Sequence, residues 1–137
     1  MSSFRIFDIA GSGMSAQSVR LNTVASNLAN AESLSSDPAQ VYRAKHPVFQ
    51  AVQPAAGDAA SSGVRIAAIA ESRAEAQRRY EPGNPLADAQ GYVYAPSVNV
   101  VEEMVDMISA SRAYQNDVEV MNTARNLMLA TLKLGQG

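Results

Sequence analysis

The chain has 137 residues, a net charge of −2 and no cysteine. One domain is the expectation at this length, and the missing basic excess excludes a phosphate-tracking nucleic-acid binder. Without Cys there is neither a disulfide framework nor a thiolate metal site. Much of the apolar content is small Ala. Trp is absent and the aromatics are five Tyr and three Phe, so the core one chain can build is thin.

The opening MSSFRIFDIAGSG lacks a basic region followed by a long apolar run, so no cleaved signal peptide is expected. No stretch reaches the 18 or more apolar residues of a membrane span. Residues 4–31 read as one helix. Phe7, Met14, Leu21 and Leu28 recur every seven residues, with Ala10, Val24 and Ala31 three residues after three of them. Gly11 and Gly13 each cost about 1 kcal/mol against Ala and predict a break or joint there. Within LNTVASNLANAES, the residues Thr23, Ser26, Asn27 and Asn30 form a polar face with no charge.

Residues 33–97 are different material and contain all six prolines. Short strands are expected from residue 39 through Val52 and over Gly63–Ser72, separated by PAAGDAASSG (54–63), a flexible loop by composition. EPGNP (81–85) is a turn. The last segment is the most periodic. Val100, Met104, Met107, Ser111, Tyr114, Val118, Met121, Arg125, Met128 and Leu132 alternate spacings of four and three, a sustained coiled-coil register. Asn99 is the expected N-cap, Glu102 and Glu103 suit the positive helix end, and Lys133 and Gly135 supply stop signals. The fold class is therefore mainly α with a small β insert, the long terminal helices pairing as an antiparallel coiled coil. Residues 1–32 and 98–137 form a discontinuous helical domain, and 33–97 the insert.

Catalytic chemistry finds little support. GSGMSA (11–16) matches a dinucleotide-binding fingerprint, but no second strand ending in an acidic residue follows about 20 residues on. His46 is the only histidine, no EF-hand pattern occurs, and no nucleophile motif frames any Ser. Catalytic, cofactor and metal sites are all expected to be absent. Met104, Met107, Met121 and Met128 suit an adaptable groove, but at heptad spacing they read as core.

Two helices with a small insert lie near the lower limit for independent stability. Residues 9–19 and 21–31 contain no charged side chain. Amide and hydroxyl groups among Ala suit a face packed on other helices, where no ion has to be desolvated. Burial on more than one side, within an assembly, is the expectation. The interface candidates are Leu21, Asn22, Val24, Ala25, Asn27, Leu28 and Asn30 on the first helix. On the second they are Met104, Met107, Tyr114, Val118, Met121, Met128 and Leu132. Leu21, Val24 and Leu28 should meet the chain's own last helix, while Asn27 and Asn30 should meet neighbouring subunits. Asn27→Asp or Asn30→Lys should then block assembly more than folding.

LNTVASNLANAES closely resembles the signature of the bacterial flagellar rod and hook family, with Leu21, Asn22, Ala25, Asn27, Leu28, Ala29, Asn30 and Ala31 on its characteristic positions. FRIFDIAGSGMSAQSVR, YRAKHPVF, QGYVYAPSVNVVEEMVDMISASRAYQNDVEVMNTARNLM and LKLGQG extend the resemblance to nearly the whole chain outside 54–63. Ser97, Glu32-Ser33 and Pro47 depart from the common pattern. The resemblance implies a structural axial protein, not an enzyme, exported unfolded through the flagellar type III apparatus without a cleaved signal. It would assemble in the periplasm with copies of itself and neighbouring rod proteins, in helical, head-to-tail contacts. No nucleic acid and no small-molecule substrate is implied. Free subunits would have loose ends that fold on assembly. The alternatives are another rod-family protein, or a small soluble helical adaptor binding one partner helix.

Overall fold

The computed structural model describes residues 3–53 and 62–135. Helix α1 (Ser3–Asn30) leads through a 3-10 turn (Pro38–Gln40) into strands β1 (Lys45–Val52) and β2 (Gly63–Glu71). Strands β3 (Gln77–Tyr80) and β4 (Tyr92–Ala95) follow, and helix α2 (Val100–Gly135) closes the described chain. The strands form two separate antiparallel ribbons, β1–β2 and β3–β4. Apart from Ser62 and Gly63, the expected flexible loop lies outside the described residues.

Asn99 caps α2 as its side chain suggests: Oδ1 accepts from the N–H groups of Val101 and Glu102, and its carbonyl accepts from Glu103. With 36 residues α2 is about 54 Å long. Its partner runs antiparallel, since Gly13 lies against Asp117 while Asn27 reaches Glu103.

Helix α1 is unbroken, which corrects the expected joint at Gly11 and Gly13. Gly13 instead marks close contact: a Cβ there would stand 2.6 Å from Asp117 Oδ2. Packing between the helices offsets the glycine's propensity cost.

The buried seam is not made of the large heptad residues. On α1 it holds Ala10, Ala16, Val24 and Asn27, with Ala31 just past the helix end and Phe7, Met14, Leu21 and Leu28 half-buried at its flanks. On α2 it holds Glu103, Ala110 and Ala124, with Met107, Tyr114, Met121 and Met128 half-buried. Of the expected positions, Ser111 and Val118 are half-buried like those four, Arg125 is exposed, and the fully buried places fall to Ala110 and Ala124. Small side chains let the backbones approach closely, and this displaces larger ones to the flanks. Met104 and Leu132, expected in the seam, are exposed.

Strand β1 starts at Lys45 rather than residue 39, because Tyr42 turns back to hydrogen-bond α1. Its pairing with β2 shifts register between Val48 and Phe49, a bulge that leaves Ala67 unmatched. Strands β3 and β4 were not expected, although the turn between them was. Gly91, at φ 85°, supplies the left-handed residue that returns the chain into β4. Beyond the ribbon, β4 bridges to Ser35 by two backbone hydrogen bonds of 2.9 Å.

Candidate assembly interface

Asn27 is fully buried and uses every hydrogen-bonding valence it has. Its Nδ2 donates to the Lys45 carbonyl (2.9 Å) and to Glu103 Oε2 (3.0 Å). Its Oδ1 accepts from the Tyr42 hydroxyl (2.8 Å) and the Lys45 N–H (2.9 Å). Because Tyr42 spends its proton on Asn27, Ser26 Oγ donates to Tyr42, 3.1 Å away. One side chain therefore joins α1, the start of β1 and the first turns of α2. Two acceptors facing Nδ2 and two donors facing Oδ1 fix the amide's orientation. An Asp would turn acceptor against acceptor, and a Leu would leave four polar groups unmet.

Ser12, Thr23 and Asn30 on α1 are also hydrogen-bonded, whereas Gln17 Oε1 is buried without a partner. Ser12 Oγ donates to the Ile9 carbonyl and accepts from the Val64 N–H of β2 at 3.0 Å. Thr23 and Asn30 bond back to carbonyls of their own helix. Between Ser12 and Asn27, the uncharged face lies beneath the chain's own β insert. This corrects the expectation that Asn27 meets a neighbouring subunit, since it has no surface to offer one. Asn30 is partly exposed, while Asn22 and Ala25 are exposed on a stripe with Ser15, Ser18 and Ala29. Val24 is buried, and Leu21 and Leu28 are half-buried as they flank the seam. On α2, Met107, Tyr114, Val118, Met121 and Met128 are half-buried.

What the molecule shows outside is larger than what it hides. Among the described residues, the buried Ala, Val, Ile, Leu, Met and aromatic side chains are seven alanines with Val24 and Val93. Ten exposed large apolar side chains lie on α2 alone, among them Val101, Val105, Ile108, Leu127, Leu132 and Leu134. Arg20 crosses between the helices to Asp106 at 2.8 Å.

Among the described residues, Asp88, Tyr94 and Asp117 have shifted titrations. Asp88 is held below the usual carboxylate range chiefly by the Tyr92 N–H, against some burial, with help from the Gln90 N–H and the Tyr94 hydroxyl. Tyr94 is pushed up by burial and by that bond to Asp88. Burial also raises Asp117. Among the described residues, no group of three or more His, Asp or Glu could hold a metal ion. An apolar hollow of about 380 Å³ lies between α1 and the β1–β2 ribbon, lined by Ile9, Ser12, Val52 and Val64 among others. The Ser12 hydroxyl in its lining is engaged by the Ile9 carbonyl and the Val64 N–H.

Two family profiles match the two helices that meet at this node. Residues 7–32 match one described as flagella basal body rod protein. Residues 89–134 match one described as flagellar basal body rod FlgEFG protein C-terminal. Paired terminal helices carrying both signatures define a flagellar axial protein of the basal-body rod class. Relatives called flagellar basal-body rod protein FlgC are 57% identical in Escherichia coli O6:H1 and in Salmonella typhimurium. Another in Yersinia enterocolitica is 56% identical. Each alignment spans 99% of this chain and 100% of the relative. The chain belongs to the FlgC family of flagellar basal-body rod proteins.

Proposed function

We propose that this chain is a structural subunit of the proximal rod, which assembles helically with copies of itself and neighbouring rod proteins into the periplasm-spanning drive shaft around the export channel. The observation that carries the reading is the inverted distribution of apolar bulk, with alanine inside and Val, Ile, Leu and Met outside along α2. Such a helix, apolar well beyond its intrachain seam, finds its burial against other helices. In the assembled state α1 and α2 act as one antiparallel coiled-coil unit. Asn22 and Ala25 on α1, and Met104 and Leu132 on α2, belong to its outward contacts. Leu21, Leu28, Met107, Tyr114, Val118, Met121 and Met128 serve both the seam and its edges. Residues 33–97 form a second unit anchored to the helices through Asn27.

The subunit reaches the periplasm through the flagellar type III export apparatus without a cleaved signal, and it performs no catalysis. A clean deletion should abolish swimming and yield basal bodies without a complete rod, with the intact gene restoring both. Normal swimming by the deletion strain refutes the reading. In isolation the chain should lose residues 1–30 and 100–137 to protease faster than the insert. Terminal helices that resist digestion better than the insert would count against burial by neighbours.

A further inference from the structure

The outer surface of α2 is divided by charge. Between Val100 and Ser111 its outward acidic residues are Glu102 and Asp106, Glu103 being buried, and there is no basic residue; between Val120 and Gly135 it carries Arg125 and Lys133 and no acidic one. Arg20 answers Asp106, which leaves Glu102 as the exposed, unanswered acidic charge of the first segment. Each segment also bears an exposed apolar stripe. In the first, Val101, Val105 and Ile108 fall at i, i+4 and i+7 with Met104 beside them. In the second, Arg125, Leu129 and Leu132 repeat the same spacing with Lys133 beside them.

The two ends also differ in cover. The pairing of Gly13 with Asp117 and Asn27 with Glu103 brings Phe4 level with about Asn126. Beyond Leu127, no described residue of α1 lies alongside. Leu129, Leu132 and Leu134 are exposed there, around most of the helix circumference.

We propose that the basic, leucine-rich end of α2 docks on the acidic, apolar first third of α2 in a second copy of this chain. The inference rests on the rod reading and adds the contact that orders successive copies. Charge selects the pairing: acidic segment against acidic segment repels, as does basic against basic, whereas acidic against basic attracts. Each surface occurs once per chain and complements the other rather than itself. The contact is therefore heterologous and does not close on a pair; it hands the free end of each copy to the next. The centres of the two stripes lie about 36 Å apart along the helix. Apolar contact supplies the adhesion, and the charges set direction and partner.

A single helical stripe is smaller than a stable two-body interface, so the contact is best trapped inside cells. The chain has no cysteine, which makes engineered ones unambiguous. Val101, Val105 or Ile108 is changed to Cys, alone and together with a Cys at Leu129, Leu132 or Leu134. The variants replace the native chain in flagellated cells, and a mild oxidant is added. At least one double variant should yield a ladder of dimers, trimers and higher species. The corresponding single variants should stay monomeric, and co-expressing two complementary single variants should give dimers only. Swimming cells in which every double variant stays monomeric overturn the proposal, as do single variants that dimerise as well as the doubles.

Charge exchange gives a second test. Glu102→Lys and Lys133→Glu should each shrink swimming halos at least twofold, and together they should recover most of the loss. A combined variant no better than the poorer single one overturns the proposal. Either failure in cells that need this chain to swim leaves the rod reading standing. A deletion strain that swims removes the rod reading itself.

Discussion

Replacing Asn27 by Ala tests the central node most directly. The substitution removes four hydrogen bonds at once, of 2.8 to 3.0 Å. It strands the Lys45 N–H and carbonyl, the Tyr42 hydroxyl and the Glu103 carboxylate, whose residue is itself buried. An ordinary hydrogen bond contributes about 1 kcal/mol net, one to a charged group about 1.5–3 kcal/mol, and stranded buried groups cost more. Water entering the gap recovers part of this, so the expected loss is about 3–5 kcal/mol. That is a large share of the roughly 5–15 kcal/mol that holds a typical domain together.

Urea denaturation of the isolated chain, followed by far-UV circular dichroism, measures the loss. Asn30→Ala is the control, because Asn30 makes one bond within its own helix and should cost under about 1 kcal/mol. A loss at Asn27 no greater than at Asn30 would refute the argument. Asn27→Asp should destabilise strongly at neutral pH, where two carboxylates face one another, and recover in part on acidification. A charge at 27 thus acts first on folding, reversing the order expected from sequence.

The two glycines of α1 should respond in opposite ways. Gly11→Ala meets no atom within 4 Å and should stabilise the helix by about 0.5–1 kcal/mol, whereas Gly13→Ala must displace the Asp117 carboxylate and should lose that gain or reverse it; equal melting temperatures for the two variants would contradict this. Burial raises Asp117, so the fold favours its acid form: its contribution is fully present below the unfolded pKa near 3.9 and is lost as pH rises through the higher folded value. Asp117→Asn should accordingly melt higher than the parent at pH 7, with the gap closing below about pH 4. Asp88 has the opposite sign: its depressed pKa gives stability that is present above the unfolded value and lost as pH falls through the folded one. Amide exchange at Tyr92 and Gln90 should be faster in Asp88→Ala at pH 7, with the difference fading in acid; unchanged protection at pH 7 would show that the carboxylate does not hold this turn.

Periodicity made the two helices and the Asn99 cap legible, and the GVRIAAIAE run made β2 legible. The seam was harder to read. A heptad pattern ranks positions by apolar size, whereas these helices pack by their smallest residues, so Ala110 and Ala124 are the buried positions and Arg125 beside Ala124 is exposed. The uncharged face of α1 was seen but assigned to the wrong cover. Nothing local in LNTVASNLANAES says that Tyr42 and Lys45 return to it, since that contact depends on how the loop after Asn30 folds back. The Tyr92-Val93-Tyr94-Ala95 run carried a strand signal in its β-forming residues. Its partner QRRY, a polar edge, carried almost none.

The Asn27–Glu103 bond spans 76 residues, and every residue that α1 packs against on α2 lies still further along the chain or close to that point. A chain delivered amino end first therefore holds a helix with no helical mate until its last third emerges. At about 5–20 residues per second of synthesis, that wait is on the order of 4–15 s. An unmated helix of this length and composition forms only in part, and pairing so far along the sequence is intrinsically slow. The clasp at Asn27 is thus a joint whose last partner, Glu103, is also the last to be made.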